Sequence, residues 1–355
     1  MNYYVDENVA KTVRVFPMQG RREYQRFDMN ENPEGLPLDF VETVKTEITP
    51  EFLSTYPEPD RFLSKYANFL GVKQENVMAT NGSDTAIRYI LEVFGEKGKE
   101  VVTVSPTFEM YSVNCSLLNL KHVPVFYEKN YTINTQKIVA AINENTSIVV
   151  LLNPNNPMGN VYTENEVNEI VDRAEKMKAI VVIDEAYHYF YEKTFLNFAI
   201  NRKNVVILRT FSKLFSLAAC RLGVIISNSQ IIDYLNKIRL TFDVNSVALL
   251  FGEKLIEDPQ LLSQLIAIEN AGKKFIVDCL NQNNYEFIEC KGNFILIKTI
   301  RDAHAVAEDL KNAKKILVHA YGNGCLREYI RVSIGSEEKM QFFVKAFLEV
   351  DSKKG

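Results

Sequence analysis

Lys213 lies in the segment Arg209-Thr210-Phe211-Ser212-Lys213-Leu214-Phe215, between a strand-like run and an apolar stretch, with Cys220-Arg221-Leu222-Gly223 shortly after. An amine taken out of water near other cations has a lowered pKa and becomes a competent nucleophile. A lone loop lysine, by contrast, is ordinarily just solvated, so its neighbours must decide. Val181-Val182-Ile183-Asp184-Glu185-Ala186-Tyr187 ends an apolar run in carboxylates. A carboxylate is costly to bury unless a positive group such as a protonated ring nitrogen meets it; the plainer reading is a helix cap followed by a surface glutamate. Thr80-Asn81-Gly82-Ser83-Asp84 precedes a helical pattern. A glycine turn at a helix N-terminus lets backbone amides approach an anion, and it also suits an ordinary capped turn. Asn153-Pro154-Asn155-Asn156-Pro157-Met158-Gly159 is a rigid loop able to hold a side-chain amide in fixed geometry. In Pro106-Thr107-Phe108-Glu109-Met110-Tyr111, Phe108 is either a stacking wall for a planar ring or simple core.

The elements around these segments say where they would meet. Between about residues 60 and 230, β-branched runs at 76–80, 100–104, 147–152, 179–183, 204–209 and 223–227 alternate with helical stretches such as 85–94. Short apolar strands separated by helices imply βα units and a mostly parallel sheet. The polar segments then fall at strand ends, the edge where open α/β sheets bind ligands. After Pro259 the pattern changes to a long amphipathic stretch at 261–280, strands at 285–289, 294–298 and 330–334, and helices at 304–312 and 336–350. The expected fold class is therefore α/β. It comprises an N-terminal arm contributing to the small domain (1–45), a large α/β domain (46–240) and a smaller C-terminal α+β domain (241–355).

Composition narrows the function classes. The 355 residues are 46% hydrophobic and 24% charged, with a net charge of −4, which gives no electrostatic reason to expect nucleic acid or an anionic membrane as partner. A phosphate-bearing ligand would need a local site. The five cysteines and four histidines show neither disulfide nor metal-ligand spacing, so no metal is expected and reduced thiols suggest a cytoplasmic protein. The N-terminus lacks a signal-peptide pattern, and no apolar run approaches the ~20 residues of a membrane span.

In this order, the segments NGSD, PTFEMY, NPNNPMG, DEAY and TFSKLFSLAACRLG resemble those of fold-type I aminotransferases dependent on pyridoxal 5′-phosphate. Asn30-Glu31-Asn32-Pro33 and Tyr56-Pro57-Glu58 point to the histidinol-phosphate aminotransferase branch, and the similarity extends to Arg331-Val332-Ser333-Ile334-Gly335. The resemblance implies that Lys213 carries the cofactor as a Schiff base and shuttles a proton. It assigns Asp184 to the pyridine nitrogen, Tyr187 and Asn156 to the ring hydroxyl oxygen, and Phe108 to stacking on the ring. Gly82, Ser83, Asp84, Thr210, Ser212 and Arg221 would cradle the phosphate, with Tyr56 arriving from the neighbouring subunit of a homodimer. On the substrate side it places Arg331, which would grip a carboxylate, together with Asn32. The implied reaction moves an amino group from a small-molecule donor, glutamate by expectation, to a small phosphorylated ketone.

Two positions depart from that branch. Ile316-Leu317-Val318-His319 ends in histidine where the branch has a phosphate-binding arginine, with Arg327 nearby. The arm carries Phe16 where the branch has a tyrosine over the substrate. Because loss of a polar contact at a recognition site can change specificity by orders of magnitude, the acceptor stays open between imidazole acetol phosphate and a three-carbon ketone such as dihydroxyacetone phosphate, which would give serinol phosphate. A threonine-phosphate decarboxylase would need the same Lys213 and Asp184. A non-catalytic protein of this fold would ordinarily have lost one of them.

Overall fold

The computed structural model describes residues 3–14, 16–322 and 324–352. Its strands are β1 (Gln25–Arg26), β2 (Val77–Asn81), β3 (Glu100–Ser105), β4 (Lys121–Phe126), β5 (Thr146–Leu152), β6 (Ile180–Asp184), β7 (Val205–Thr210), β8 (Leu222–Ser227), β9 (Phe287–Glu289), β10 (Phe294–Lys298), β11 (Ile316–Leu317), β12 (His319–Ala320) and β13 (Tyr329–Ser333). The expected strands of the first half are all present, with ends displaced by a residue or so. β4 is the addition. It lies at the edge of its sheet and contains Pro124, a residue tolerated only at such edges, which breaks the apolar run that would have marked it.

The large sheet has the order β2-β8-β7-β6-β5-β3-β4 and is parallel except for β8, which runs antiparallel to both neighbours. Its central strands are continuous β-branched runs because both faces are covered. Alternate side chains feed opposite cores: Val149, Leu151, Val181 and Ile183 enter one, and Ile148, Val150, Leu152 and Val182 the other. The first core is closed by helices Asp60–Leu70, Glu164–Lys176 and Ser246–Ile256, the second by Gly82–Phe94, Met110–Leu117 and Ser229–Asn236.

The small domain packs helices Pro259–Gln282, Ala303–Lys314 and Glu337–Asp351 on the antiparallel sheet β12-β13-β10-β9. The N-terminal segment completes it: β1 pairs in parallel with β11, and Phe27 is fully buried in the small core. Both sequence-based boundaries need correction. Val244, Ala248, Phe251, Leu261 and Leu265 belong to the large-domain core, so the division falls inside the helix Pro259–Gln282, not at 241. Likewise Phe40, Val41 and Val44 pack on the large domain although they lie within the 1–45 segment assigned to the arm. The segment 316–320 is divided, with β11 bound to β1 and β12 to β13.

Gly272 lets that helix touch the end of β13, since a Cβ there would overlap the carbonyl oxygen of Gly335. Gly272→Ala is expected to lower stability by about 1–3 kcal/mol, the ordinary cost of overpacking. Denaturant titration checks this; an unchanged midpoint would mean that the two backbones part freely.

Candidate active site

The C-terminal ends of β2, β3, β5, β6 and β7 share one edge of the sheet, and the antiparallel β8 begins there. Chain direction alone thus brings Gly82, Phe108, Asn156, Asp184, Lys213 and Arg221 into one neighbourhood.

Asp184 ends β6 and is 3% exposed. Its Oδ1 accepts from the Ala186 amide at 3.0 Å and its Oδ2 from the Tyr111 hydroxyl at 2.8 Å. Burial dominates and raises its pKa to about 6, while these two donors pull it down. A buried carboxylate whose only hydrogen bonds here come from neutral donors suits a cationic ring nitrogen.

Lys213 follows β7, and its Nζ donates to the Met29 carbonyl at 2.9 Å. Desolvation, assisted by the nearby charge of Arg331, lowers its pKa to about 8, with Glu31 and Asp84 opposing. The amine lies 5.8 Å from the centre of the Tyr187 ring. The Tyr187 hydroxyl accepts from the Asn30 amide at 2.9 Å, and burial pushes its pKa up to about 12. A phenol that stays protonated and already accepts one hydrogen bond keeps its own hydrogen for an oxygen acceptor in the pocket.

The anion cradle is built around Gly82, whose φ is +76° and whose hypothetical Cβ would lie 2.5 Å from an Arg221 nitrogen. Arg221 bridges Ser212 Oγ at 3.5 Å and the Asp84 carboxylate at 3.3 Å, and the buried Thr210 Oγ1 accepts from the Ser212 amide at 3.1 Å. Ser83 stands in the first turn of the helix that Gly82 opens. Because the Asp84 carboxylate is paired with Arg221, it is the backbone of this turn that is left to face an anion. Phe108 packs at the margin of the core behind it.

Arg331 on β13 is 9% exposed and donates to Asn156 Oδ1 at 2.6 Å and to the Asp28 carbonyl at 2.7 Å, while its Nε has no protein partner. A buried guanidinium with a free donor beside a nucleophilic amine is built to receive a carboxylate or phosphate. His319 stands opposite Arg331 in the β12–β13 register, its ring against Tyr321 at 4.7 Å. Crowding on its protein side and the Arg331 charge lower its pKa to about 4, so at neutral pH it is an uncharged hydrogen-bonding group.

Other sequence candidates lie elsewhere. Asn32 is engaged with Ser216 Oγ at 2.7 Å and the Gly35 carbonyl, so the amide that enters the pocket is that of Asn30, two positions earlier. Phe16 is 72% exposed under the Arg14 guanidinium. Tyr56 is also 72% exposed and stacks on Phe242 at 4.2 Å. Arg327 is exposed.

The residues that reading the sequence missed are Asn30 and Tyr111. Asn30 is held by Ser333, Asn293 and Tyr187 and has φ +53°, a conformation that favours asparagine over most side chains. That preference was the one available signal. The Tyr111 hydroxyl belongs to a recognised segment, but nothing in its spacing reveals the contact with Asp184.

Fold and site together define an α/β enzyme that holds pyridoxal 5′-phosphate on a lysine. The chain matches the family "Aminotransferase class I and II" over residues 25–347, and it belongs to that family. Histidinol-phosphate aminotransferases of Pyrococcus furiosus and Clostridium novyi are similar to it, at 35% identity (91% of either chain) and 30% identity (93% of this chain, 92% of the other). The histidinol-phosphate aminotransferase of Sinorhizobium meliloti, solved with pyridoxal-5′-phosphate, superposes with a TM-score of 0.87 at 22% identity, covering 97% of this chain and 96% of that one. The pocket fits the cofactor on its own evidence too, with an anion turn that excludes a Cβ, a lowered-pKa lysine and a buried carboxylate.

Two outcomes follow. Below about pH 8 the Lys213 amine is mostly protonated and cannot attack; above it the amine is neutral. Capture of pyridoxal phosphate by the cofactor-free protein should accelerate about tenfold per pH unit up to that point and then level off, followed by stopped-flow absorbance. A rate still climbing tenfold per pH unit from about pH 8 to pH 10 would refute the lowered pKa. Gly82→Ala forces a left-handed residue onto Arg221, at about 1–3 kcal/mol; equilibrium titration should show cofactor affinity weakened at least about tenfold.

Proposed function

We propose that this aminotransferase takes the amino group of glutamate and passes it to a small phosphorylated ketone, with imidazole acetol phosphate as the first candidate. The observation that carries this reading is Arg331, buried, fixed by Asn156 and the Asp28 carbonyl, and electrostatically coupled to Lys213. It offers a grip for an anionic group within reach of the amine. Bound cofactor supplies the electron sink. Lys213, an amine with a pKa near neutrality, takes the proton from the substrate α-carbon and returns it, general acid–base work suited to such a pKa. Asp184 as an anion would keep the ring nitrogen of the cofactor protonated, and Tyr187 and Asn156 would hold its ring oxygen. Arg331 would hold the substrate anion, and the buried cluster of Met158, Tyr187, Phe294 and Tyr329 forms an apolar core around the Tyr187 ring.

One anion grip can serve donor carboxylate and acceptor phosphate in turn. Neutral His319 stands opposite Arg331 where the branch has a second cation, and dihydroxyacetone phosphate is a second acceptor worth testing. The exposed, stacked Tyr56 and Phe242 support a homodimer in which Tyr56 meets the neighbouring cofactor phosphate. No helix among the described residues is long and apolar enough to cross a membrane, and all five cysteines are free, in keeping with a reducing cytoplasmic setting.

The test is a panel of acceptors with glutamate, monitoring 2-oxoglutarate. Turnover with a phosphorylated ketone is expected, and Arg331→Lys, which loses the planar fork, should reduce kcat/KM by about 100-fold for glutamate. Absence of turnover with every phosphorylated ketone would overturn the acceptor class, and carbon dioxide release without a keto acid would indicate a decarboxylase.

A further inference from the structure

Tyr111 lies outside every role described so far. Its helix, Met110–Leu117, packs beneath the sheet edge, and its ring is 1% exposed among Ile87, Leu152 and Leu208. A tyrosine so deep needs only an apolar ring, and phenylalanine would fill that space. Among the described residues its hydroxyl donates to Asp184 Oδ2 at 2.8 Å. Both groups are nine-tenths or more buried, so water cannot stand in for either.

The direction of the bond settles what it does. A phenol is a donor toward a carboxylate and favours the charged over the protonated form of its acceptor. With the Ala186 amide on Oδ1, each carboxylate oxygen receives one protein donor, and the plane of the group is fixed. Glu185 and Asp84 push the other way as nearby negative charges, and so does burial. The phenol itself stays protonated, because burial and the Asp184 charge raise its pKa far above neutrality.

We propose that Tyr111 is a positioning residue for the transamination chemistry: its hydroxyl locks the orientation of the Asp184 carboxylate and keeps it anionic toward the ring nitrogen of the cofactor. This rests on the reading of Asp184 as the partner of that nitrogen. Tyr111 acts only through Asp184.

The test begins on cofactor-free protein, where the titration of Asp184 is followed by the infrared carbonyl stretch of its protonated form, with Asp184→Asn as the blank. Tyr111→Phe should raise the apparent pKa by at least about one pH unit, as loss of a hydrogen bond to a buried charge requires. 3-Fluorotyrosine at position 111, a stronger donor of the same shape, should move it the opposite way. In the loaded enzyme, the ¹⁵N signal of labelled cofactor should shift from pyridinium toward neutral pyridine in Tyr111→Phe, with kcat down about tenfold or more and KM for glutamate changed less. An unmoved Asp184 titration in both variants would overturn the proposal, whatever the activity. If instead the titration moves while Asp184→Asn leaves the ¹⁵N signal at its original position, the reading of Asp184 fails and with it the role of Tyr111 in catalysis, though not their contact.

Discussion

The buried pair Glu185–Arg209 ties the active edge of the sheet together. Arg209 on β7 reaches Glu185, just past β6, through Nε at 3.0 Å and a terminal nitrogen at 2.8 Å, with both side chains 3% or less exposed. Glu185 also accepts from Thr194 Oγ1 and the Phe195 amide, so its lone pairs are satisfied. Breaking such a pair from one side typically costs about 3–5 kcal/mol, because the remaining charge stays buried. The pair sits directly behind Asp184 and upstream of Lys213, so the constraint that fastens β6 to β7 also sets the separation of the buried carboxylate and the buried amine.

The chemistry depends on the same scarcity of water. Burial pushes Asp184 up and Lys213 down, each toward neutrality, and the protein restores ionisation only where a partner is supplied. Arg331 contributes twice, as a buried guanidinium with an open Nε and as a charge that lowers the lysine. Its backbone anchor, Asp28, adjoins Met29, whose carbonyl holds the lysine, so the two cations rest on one short stretch of chain.

Much of this was legible in the sequence where local rules act. Gly82, Asp184, Lys213 and Arg221 occupy strand ends, and strand ends are readable from β-branched runs bounded by turns. The parallel sheet follows from the same periodicity. What escaped depends on contacts distant in the chain. Asn32 and Asn30 look alike in a polar run, and only the meeting with Tyr187 and Ser333 separates them. The hydroxyl of Tyr111 is invisible without the position of Asp184. The domain boundary was misjudged because the helix Pro259–Gln282 is amphipathic throughout and simply changes the core it faces partway along. β4 was hidden by the proline that its edge position permits.

Asn30 has a consequence for the life history of the chain. It bonds Ser333 across 303 positions, and Asn293 across 263. The pocket therefore joins an earlier-made segment to one made 303 positions later. Contacts of such separation are paid for in loop-closure entropy before they return anything. A nascent chain can complete the large sheet, with Lys213 and Asp184 in place, long before Arg331 and Ser333 emerge. The half that carries the amine and the carboxylate is thus ready first, and the half that carries the buried guanidinium closes over it last.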